Sequence, residues 1–260
     1  MKKFFVIGNP INHSLSPELH NFWIKKNQIE AVYDKIKLEE SELKDFINKL
    51  RNEEIHGINV TVPFKNKVIK YLDKLSLEVE TTDSVNTIYK SGKELIGHNT
   101  DVAGFELGLR HSKINVLHKS ILILGAGGVV PSIIYSLLSM GCKKIFLSNR
   151  TIEKAENIKK KFNEVEVLKW GKIPDFDIVI NATSVGLKGD SLDLDLKAKD
   201  KIFYDIIYNP KETPFLKKAK ENGNRIENGI FMFIYQANQS FSIWNNVIPK
   251  IDEEVLNILG

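Results

Sequence analysis

The stretch SILILGAGGVVPSIIYSLL, residues 120–138, leaves few folds open. It runs from an uninterrupted apolar segment, through a glycine-rich turn, into a second apolar segment at helical spacing. An apolar run without alternation, followed at once by a helix, predicts a strand buried on both faces, as parallel sheets require. Gly125 is placed to make the tight turn. Gly127 is placed to let main-chain N–H groups approach a pyrophosphate, which the helix N-terminus then favours. A plain strand-to-helix turn is the alternative. One feature departs from the dinucleotide pattern: its third small residue falls at Val130, which is bulky.

Strand-like and helical runs alternate along the whole chain. FFVIG, AVYDKIKL and GINVTV are separated by helical stretches near residues 17–27 and 39–50, and VNTIYK and KELIG flank Ser91-Gly92 as a hairpin. A second series follows from about residue 119: ILILG, IFLSN, VEVL, FDIVIN and KIFYDII. Alternation of this kind predicts an α/β class with mainly parallel sheets. The two series predict two domains, divided in the helix 102–109 or just after it, and 260 residues suffice for two of modest size. The last helical stretch, 231–246, can pack on either.

Composition excludes several function classes. The net charge of +4 is mild and spread out, with no basic block carrying interleaved aromatics, so nucleic acid is not an expected partner. The N-terminal apolar run, Phe4–Ile7, is too short for a signal peptide, and no run reaches transmembrane length. Cys142 is the only cysteine and cannot form an internal disulfide, which fits a reducing cytoplasm. The six histidines show no metal-ligand spacing, so no metal is expected and they are taken as surface or structural.

The tip of the strand after the glycine turn bears on cofactor choice. An NAD site places a carboxylate there for the ribose hydroxyls. This chain has Asn149-Arg150-Thr151 with Lys154 a turn later, a set suited to a 2′-phosphate, and Glu153 is the nearest acid. NADP is therefore expected over NAD; an ordinary solvated Arg and Lys at a helix start is the alternative. Asn181 and Thr183 end the strand FDIVIN, either as ligand groups or as turn caps.

In the first half, GINVTVPFK presents a puzzle. Ile58, Val60 and Val62 alternate with Asn59 and Thr61, and Pro63 ends the strand. Val68, Ile69, Leu72 and Leu75 then recur at helical spacing, which puts Lys65 at a helix N-terminus, where a cation is disfavoured. In GNPINHSLSPELHNFW, Ser16 precedes Pro17 and is expected to cap a helix, whereas Ser14 has no such role; two hydroxyls beside a helix start would also cradle a carboxylate. Asp101, in GHNTDVAGFELGL, is either a second helix cap or a site residue, with Thr100 able to cap instead. Asn86 is one polar residue on a β-rich segment.

GNPINHSLSP, NVTVPFK, VNT, NTD, GAGG, NRT, NATSVG and QA stand in one order along the chain, and over nearly its full length the chain resembles the shikimate dehydrogenase family. The resemblance implies a two-domain α/β enzyme, an NADP-dependent oxidoreductase acting on a CH–OH group. It would reversibly reduce 3-dehydroshikimate to shikimate with NADPH, in aromatic amino acid biosynthesis. It implies a substrate-binding domain with a mixed sheet at 1–101, completed by C-terminal helices at 236–260, and a Rossmann-like NADP-binding domain at 102–235. By motif, Lys65 and Asp101 match the catalytic pair. Ser14, Ser16 and Tyr208 match carboxylate binders, and Thr61, Asn86 and Gln236 match residues holding ring hydroxyls. Gly125, Ala126, Gly127, Gly128, Asn149, Arg150 and Thr151 match the cofactor loop and phosphate clamp, with Lys154, Asn181, Thr183, Gly229 and Met232 also expected at the cofactor. The expected partners are small molecules, with no nucleic acid and no membrane, and the expected assembly is a monomer or homodimer in the cytoplasm.

The chain departs from the family pattern at Asp83-Ser84, at Val130 and at Phe233. Its serine pair resembles shikimate users more than quinate users. A quinate-oxidising paralogue and a non-catalytic NADP-binding regulator are the rival expectations.

Overall fold

The computed structural model describes residues 1–260, and no helix in it is long and apolar enough to cross a membrane. The chain divides into two compact units, residues 1–104 with 234–260, and residues 105–233.

The first unit is built on β1 (Lys2–Gly8), β2 (Ala31–Lys37), β3 (Gly57–Val60), β4 (Lys74–Leu75), β5 (Thr87–Ser91) and β6 (Glu94–His98), in the order β2-β1-β3-β5-β6-β4. β1 pairs in parallel with β2 and β3, β5 runs antiparallel to β3 and β6, and β4 is parallel to β6, so the sheet is mixed. Its helices are α1 (Ser16–Lys26), α2 (Leu43–Arg51), α3 (Leu77–Thr82), the start of α4 (Thr100–His111), most of α8 (Ile230–Asn245) and α9 (Glu253–Ile258). Ile7, Ile58, Val60 and Ile88 join the α2 residues Leu43, Phe46, Ile47 and Leu50 in one core. On the other side an aromatic cluster gathers Phe4, His20, Trp23, Tyr33, Phe241 and Trp244.

The second unit has one parallel sheet. Its strands are β7 (Ser120–Leu124), β8 (Lys144–Ser148), β9 (Val165–Leu168), β10 (Ile178–Asn181), β11 (Ile202–Asp205) and β12 (Arg225–Glu227), in the order β12-β11-β10-β7-β8-β9. Its helices include α5 (Val130–Ser139), α6 (Ile152–Lys159) and α7 (Pro214–Glu221). This is the doubly wound order in which connections reverse between β7 and β10, leaving a crevice at their carboxyl ends. Ile121 and Ile123 face one core while Leu122 and Leu124 face another, which explains why β7 is apolar throughout.

Several local expectations are corrected. No α-helix follows Pro63: residues 65–68 form turns, Ile69–Tyr71 is a single 3-10 turn, and β4 follows. The N–H groups of Asp73 and Ser76 donate to Leu95 and Gly97 O, so the open edge of β6 draws the segment into an extended path. The clash expected between Lys65 and a helix dipole therefore does not arise. β3 stops at Val60, and Val62 is 56% exposed rather than on the core face. Ser16 is the first residue of α1 and not its cap; Leu15 takes that place without a side-chain cap.

Candidate active site

Strand register collects the candidate residues of the first unit at one end of its sheet. Ile7 lies opposite Val60, so the loop with Ser14 and Ser16 and the turn with Thr61 and Lys65 leave adjacent carboxyl ends. β5 runs the other way, with Thr87 opposite Asn59 and His98, so Asn86 and Asp101 belong to the same end. Val60 N–H donates to Asn86 O at 2.8 Å, and Val85 N–H to Lys65 O at 2.9 Å.

Lys65 Nζ and Asp101 Oδ2 form an ion pair, with side chains only 13% and 8% exposed. Asn86 Nδ2 donates to Asp101 Oδ1 at 3.0 Å and to Thr100 Oγ1 at 2.9 Å, and lies 3.4 Å from Gln236 Oε1 on α8. Helix capping does not occupy Asp101. The first turn of α4 is held instead by Asn86 Oδ1, which accepts from Thr100 N–H at 2.7 Å, and by Asn99 Oδ1, which accepts from Asp101 N–H at 3.1 Å. A buried carboxylate with an ammonium on one oxygen and an amide on the other is fixed in direction.

The two serines invert their expected roles. Ser14 Oγ accepts from Ser16 N–H at 3.3 Å, so Ser14 makes the local cap-like contact, while the buried Ser16 hydroxyl lies within reach of Tyr33. Thr61 is half-buried, and its N–H donates to Ile7 O at 2.9 Å.

Polar residues that the sequence reading passed over lie directly behind these groups. Asn59 Nδ2 donates to Asn86 O at 3.0 Å and Ser240 Oγ at 2.9 Å, Asn59 Oδ1 accepts from Tyr33 at 2.7 Å, and Thr87 Oγ1 is 2.8 Å from Ser240 Oγ. The available signal was the polar face of GINVTV for Asn59 and the polar stretch 236–242 of α8 for Ser240.

In the second unit the candidates lie at the carboxyl ends of the strands. Gly125, at φ +109°, could not be replaced without strain, and a Cβ there would approach Ala182 O to 2.7 Å. A Cβ on Gly127 would meet nothing closer than 3.9 Å, and one on Gly128 nothing within 4 Å. The turn Gly125-Ala126-Gly127-Gly128 is thus tight at its first residue and open where it enters α5, which fits a pyrophosphate on main-chain N–H groups. Val130, where the pattern has a small residue, is fully buried in the core. Arg150, Thr151 and Lys154 are exposed beyond β8, and neither cation forms an ion pair; Asn149 Nδ2 donates to Thr151 O at 2.7 Å. Cations free of carboxylates fit a phosphate better than a bare ribose.

Asn181 has a local structural task. Its Nδ2 donates to Asp205 at 3.1 Å and Val185 O at 3.1 Å, and its Oδ1 accepts from Thr183 Oγ1 at 2.7 Å. Asp205 also accepts from Thr213 at 2.7 Å and Ile207 N–H at 3.0 Å, and burial raises its pKa to about 6 despite these bonds. Tyr208 stacks on Phe233 with ring centroids 4.5 Å apart. Gly229 precedes α8, and Met232 is buried in the core that includes Phe105. Cys142 is free and half-buried, and burial raises its thiol to about 11.

Comparison with known proteins accounts for this layout. A model described as the shikimate dehydrogenase substrate binding domain matches residues 6–88, and one described as shikimate / quinate 5-dehydrogenase matches residues 108–188. A shikimate dehydrogenase (NADP(+)) of Pelagibacter ubique is 54% identical, covering 99% of this chain and 98% of its own. This chain belongs to the shikimate dehydrogenase family. Among solved members, the Listeria monocytogenes shikimate 5-dehydrogenase in complex with shikimate and NAD superposes with TM-score 0.91 at 30% identity, covering 100% of this chain and 96% of that one. The Thermus thermophilus shikimate 5-dehydrogenase in complex with NADP(H) and shikimate gives TM-score 0.90 at 28% identity, covering 99% and 100%. Both units of the shikimate dehydrogenase fold are therefore present.

Proposed function

We propose that this chain is an NADP-dependent shikimate dehydrogenase that interconverts 3-dehydroshikimate and shikimate, with Lys65 and Asp101 as its catalytic pair. The observation that carries the proposal is the enclosed ion pair of these two residues beside Asn86, in a chain of this family. Bound NADPH supplies the hydride that reduces the ketone carbon. The chain's own groups manage the oxygen. Negative charge develops there as the carbonyl is reduced, and the Lys65 ammonium stabilises it and gives up a proton, a contribution of about 3 to 4 kcal/mol for a donor of this kind. Asp101 holds the ammonium in direction, and its oxygens accept from a ring hydroxyl. Asn86, Thr61 and Gln236 hold ring hydroxyls, and Ser14, Ser16 and Tyr208 hold the carboxylate.

The glycine turn and the Arg150, Thr151 and Lys154 group would hold NADPH, with selectivity for its 2′-phosphate. Thr183, Gly229 and Met232 complete its surroundings, and Asn181 contributes by shaping the turn that presents Thr183. A free thiol and a soluble-type composition support a cytoplasmic enzyme, monomeric or homodimeric, with small molecules as its partners. The test is NADPH oxidation followed at saturating 3-dehydroshikimate, with shikimate and quinate compared in the reverse direction. Turnover of shikimate with NADP well above that with NAD or of quinate is expected. Absence of turnover with any of these would overturn the proposal in favour of a binding protein.

A further inference from the structure

From the buried network behind Asn86, we infer that Ser240 is a positioning residue for the reaction, orienting the Asn86–Asp101 pair without touching substrate. The inference rests on the function proposed above. Ser240 lies on α8 one turn after Gln236, and its hydroxyl donates back to Gln236 O at 3.1 Å. With its proton used there, its oxygen is left to accept. Its two lone pairs face Asn59 Nδ2 at 2.9 Å and the hydroxyls of Thr87 at 2.8 Å and Thr100 at 3.2 Å, so it accepts from Asn59 and from one of the two threonines.

Hydrogen accounting shows why this matters for Asn86. Its Oδ1 already accepts from Thr100 N–H at 2.7 Å, and the hydroxyls of Thr87 and Thr100 lie 3.0 and 3.1 Å away as further donors. A carbonyl oxygen has two acceptor sites. Ser240 Oγ accepts from the threonine hydroxyl for which Asn86 Oδ1 has no site, so Thr100 Oγ1 stays oriented to accept from Asn86 Nδ2 and that amide stays aimed at Asp101 Oδ1. Tyr33 fixes the far end by donating to Asn59 Oδ1 at 2.7 Å, so Asn59 must present its NH₂ to Ser240. Ser240, Thr87, Asn86 and Asn59 are all buried, so water cannot replace a missing partner at no cost.

The test compares Ser240→Ala with Ser242→Ala in the full chain. Ser242 makes the same kind of back-bond, to Asn238 O at 2.8 Å, but has no part in the network. Ser240→Ala is expected to lower kcat/KM for shikimate about tenfold, with KM for shikimate raised and KM for NADP unchanged. A partly unfolded preparation would lower kcat alone, so the rise in KM separates misorientation from loss of active protein. Thr87→Val keeps the shape of Thr87, removes its hydroxyl and is expected to give the same pattern, which covers the case where Ser240→Ala does not fold. Wild-type values in both Ser240→Ala and Thr87→Val, or an equal change in Ser242→Ala, would overturn the inference while leaving the proposed function standing. No turnover by the unmodified chain would overturn both.

Discussion

Asn86 Nδ2 reaches Asp101 Oδ1 at 3.0 Å while the other carboxylate oxygen is held by Lys65. The carboxylate is therefore gripped from two elements far apart in the chain, the turn after β3 and the segment before β5. An isolated surface ion pair would be free to reorient and would contribute little. This one is enclosed, and removal of either partner leaves the other unbalanced.

Lys65→Ala is accordingly expected to lower kcat by about 10² or more, with nucleotide affinity nearly intact. Steady-state kinetics alongside a fluorescence titration with NADPH checks this. Near-normal turnover would remove Lys65 from the mechanism.

Arg150→Ala is expected to weaken NADPH binding far more than NADH binding, because Arg150 is exposed at the tip of β8 with no acidic partner of its own. Dissociation constants for the two nucleotides decide it. An equal loss for both would assign Arg150 to some other part of the cofactor.

Asp205 gives the second unit a pH dependence of definite sign. Burial raises its pKa from 3.8 to about 6, so the folded state prefers the protonated form. Its stabilising contribution is full below pH 3.8 and is lost as pH rises to about 6, by about 3 kcal/mol at most. Asp205→Asn is expected to flatten the stability profile across that window, measured as Tm between pH 4 and 7. An unchanged slope would count against a buried, titrating Asp205.

His20 acts in the opposite direction in the first unit. Its ring stacks on Tyr33 at 4.1 Å, its Nε2 has no partner, and burial lowers its pKa to about 3. Unfolding lets it take up a proton below its ordinary value of 6.5, so stability is lost as pH falls from 6.5 towards 3, by up to roughly 5 kcal/mol. His20→Phe keeps an aromatic ring on Tyr33 and removes both the proton and the unpaired nitrogen. It is expected to shift acid unfolding, followed by the fluorescence of Trp23 and Trp244, to lower pH. A variant as acid-sensitive as the parent would place the sensitivity elsewhere.

The parts of this molecule legible in its sequence are those where local chemistry and tertiary environment agree. β7 is apolar throughout because its alternate residues face two different cores, and the glycine turn follows from the positive φ of Gly125. The motifs carrying Lys65 and Asp101 were recognisable, although their pairing depends on folding. Residues 66–75 depart from expectation because Val68, Ile69, Leu72 and Leu75 carry helical spacing, whereas the open edge of β6 determines the outcome. That edge lies more than twenty residues away in sequence, beyond the reach of periodicity. Ser16 stands before Pro17 where a cap is expected, but the helix already includes it. Asn59 reads only as part of a strand alternation, and Ser240 and Asp205 belong to no motif, so the roles of all three depend on the partners that folding supplies.

The first unit draws on both ends of the chain, and its contacts span the interval between them. Trp23 Nε1 donates to Lys250 O at 3.1 Å, Trp244 Nε1 to Ile88 O at 3.2 Å, and Asn59 meets Ser240 across 181 positions. During synthesis, residues 105–233 form one continuous stretch that can fold as soon as it leaves the ribosome, whereas the earlier-made portion must wait for the final helices. Until then the seat of Trp244 stays open, and the cluster around Asn86 lacks Ser240. A newly made chain therefore completes its second unit before its first, and a chain ending short of residue 240 leaves the cluster around Asn86 without its last buried partner.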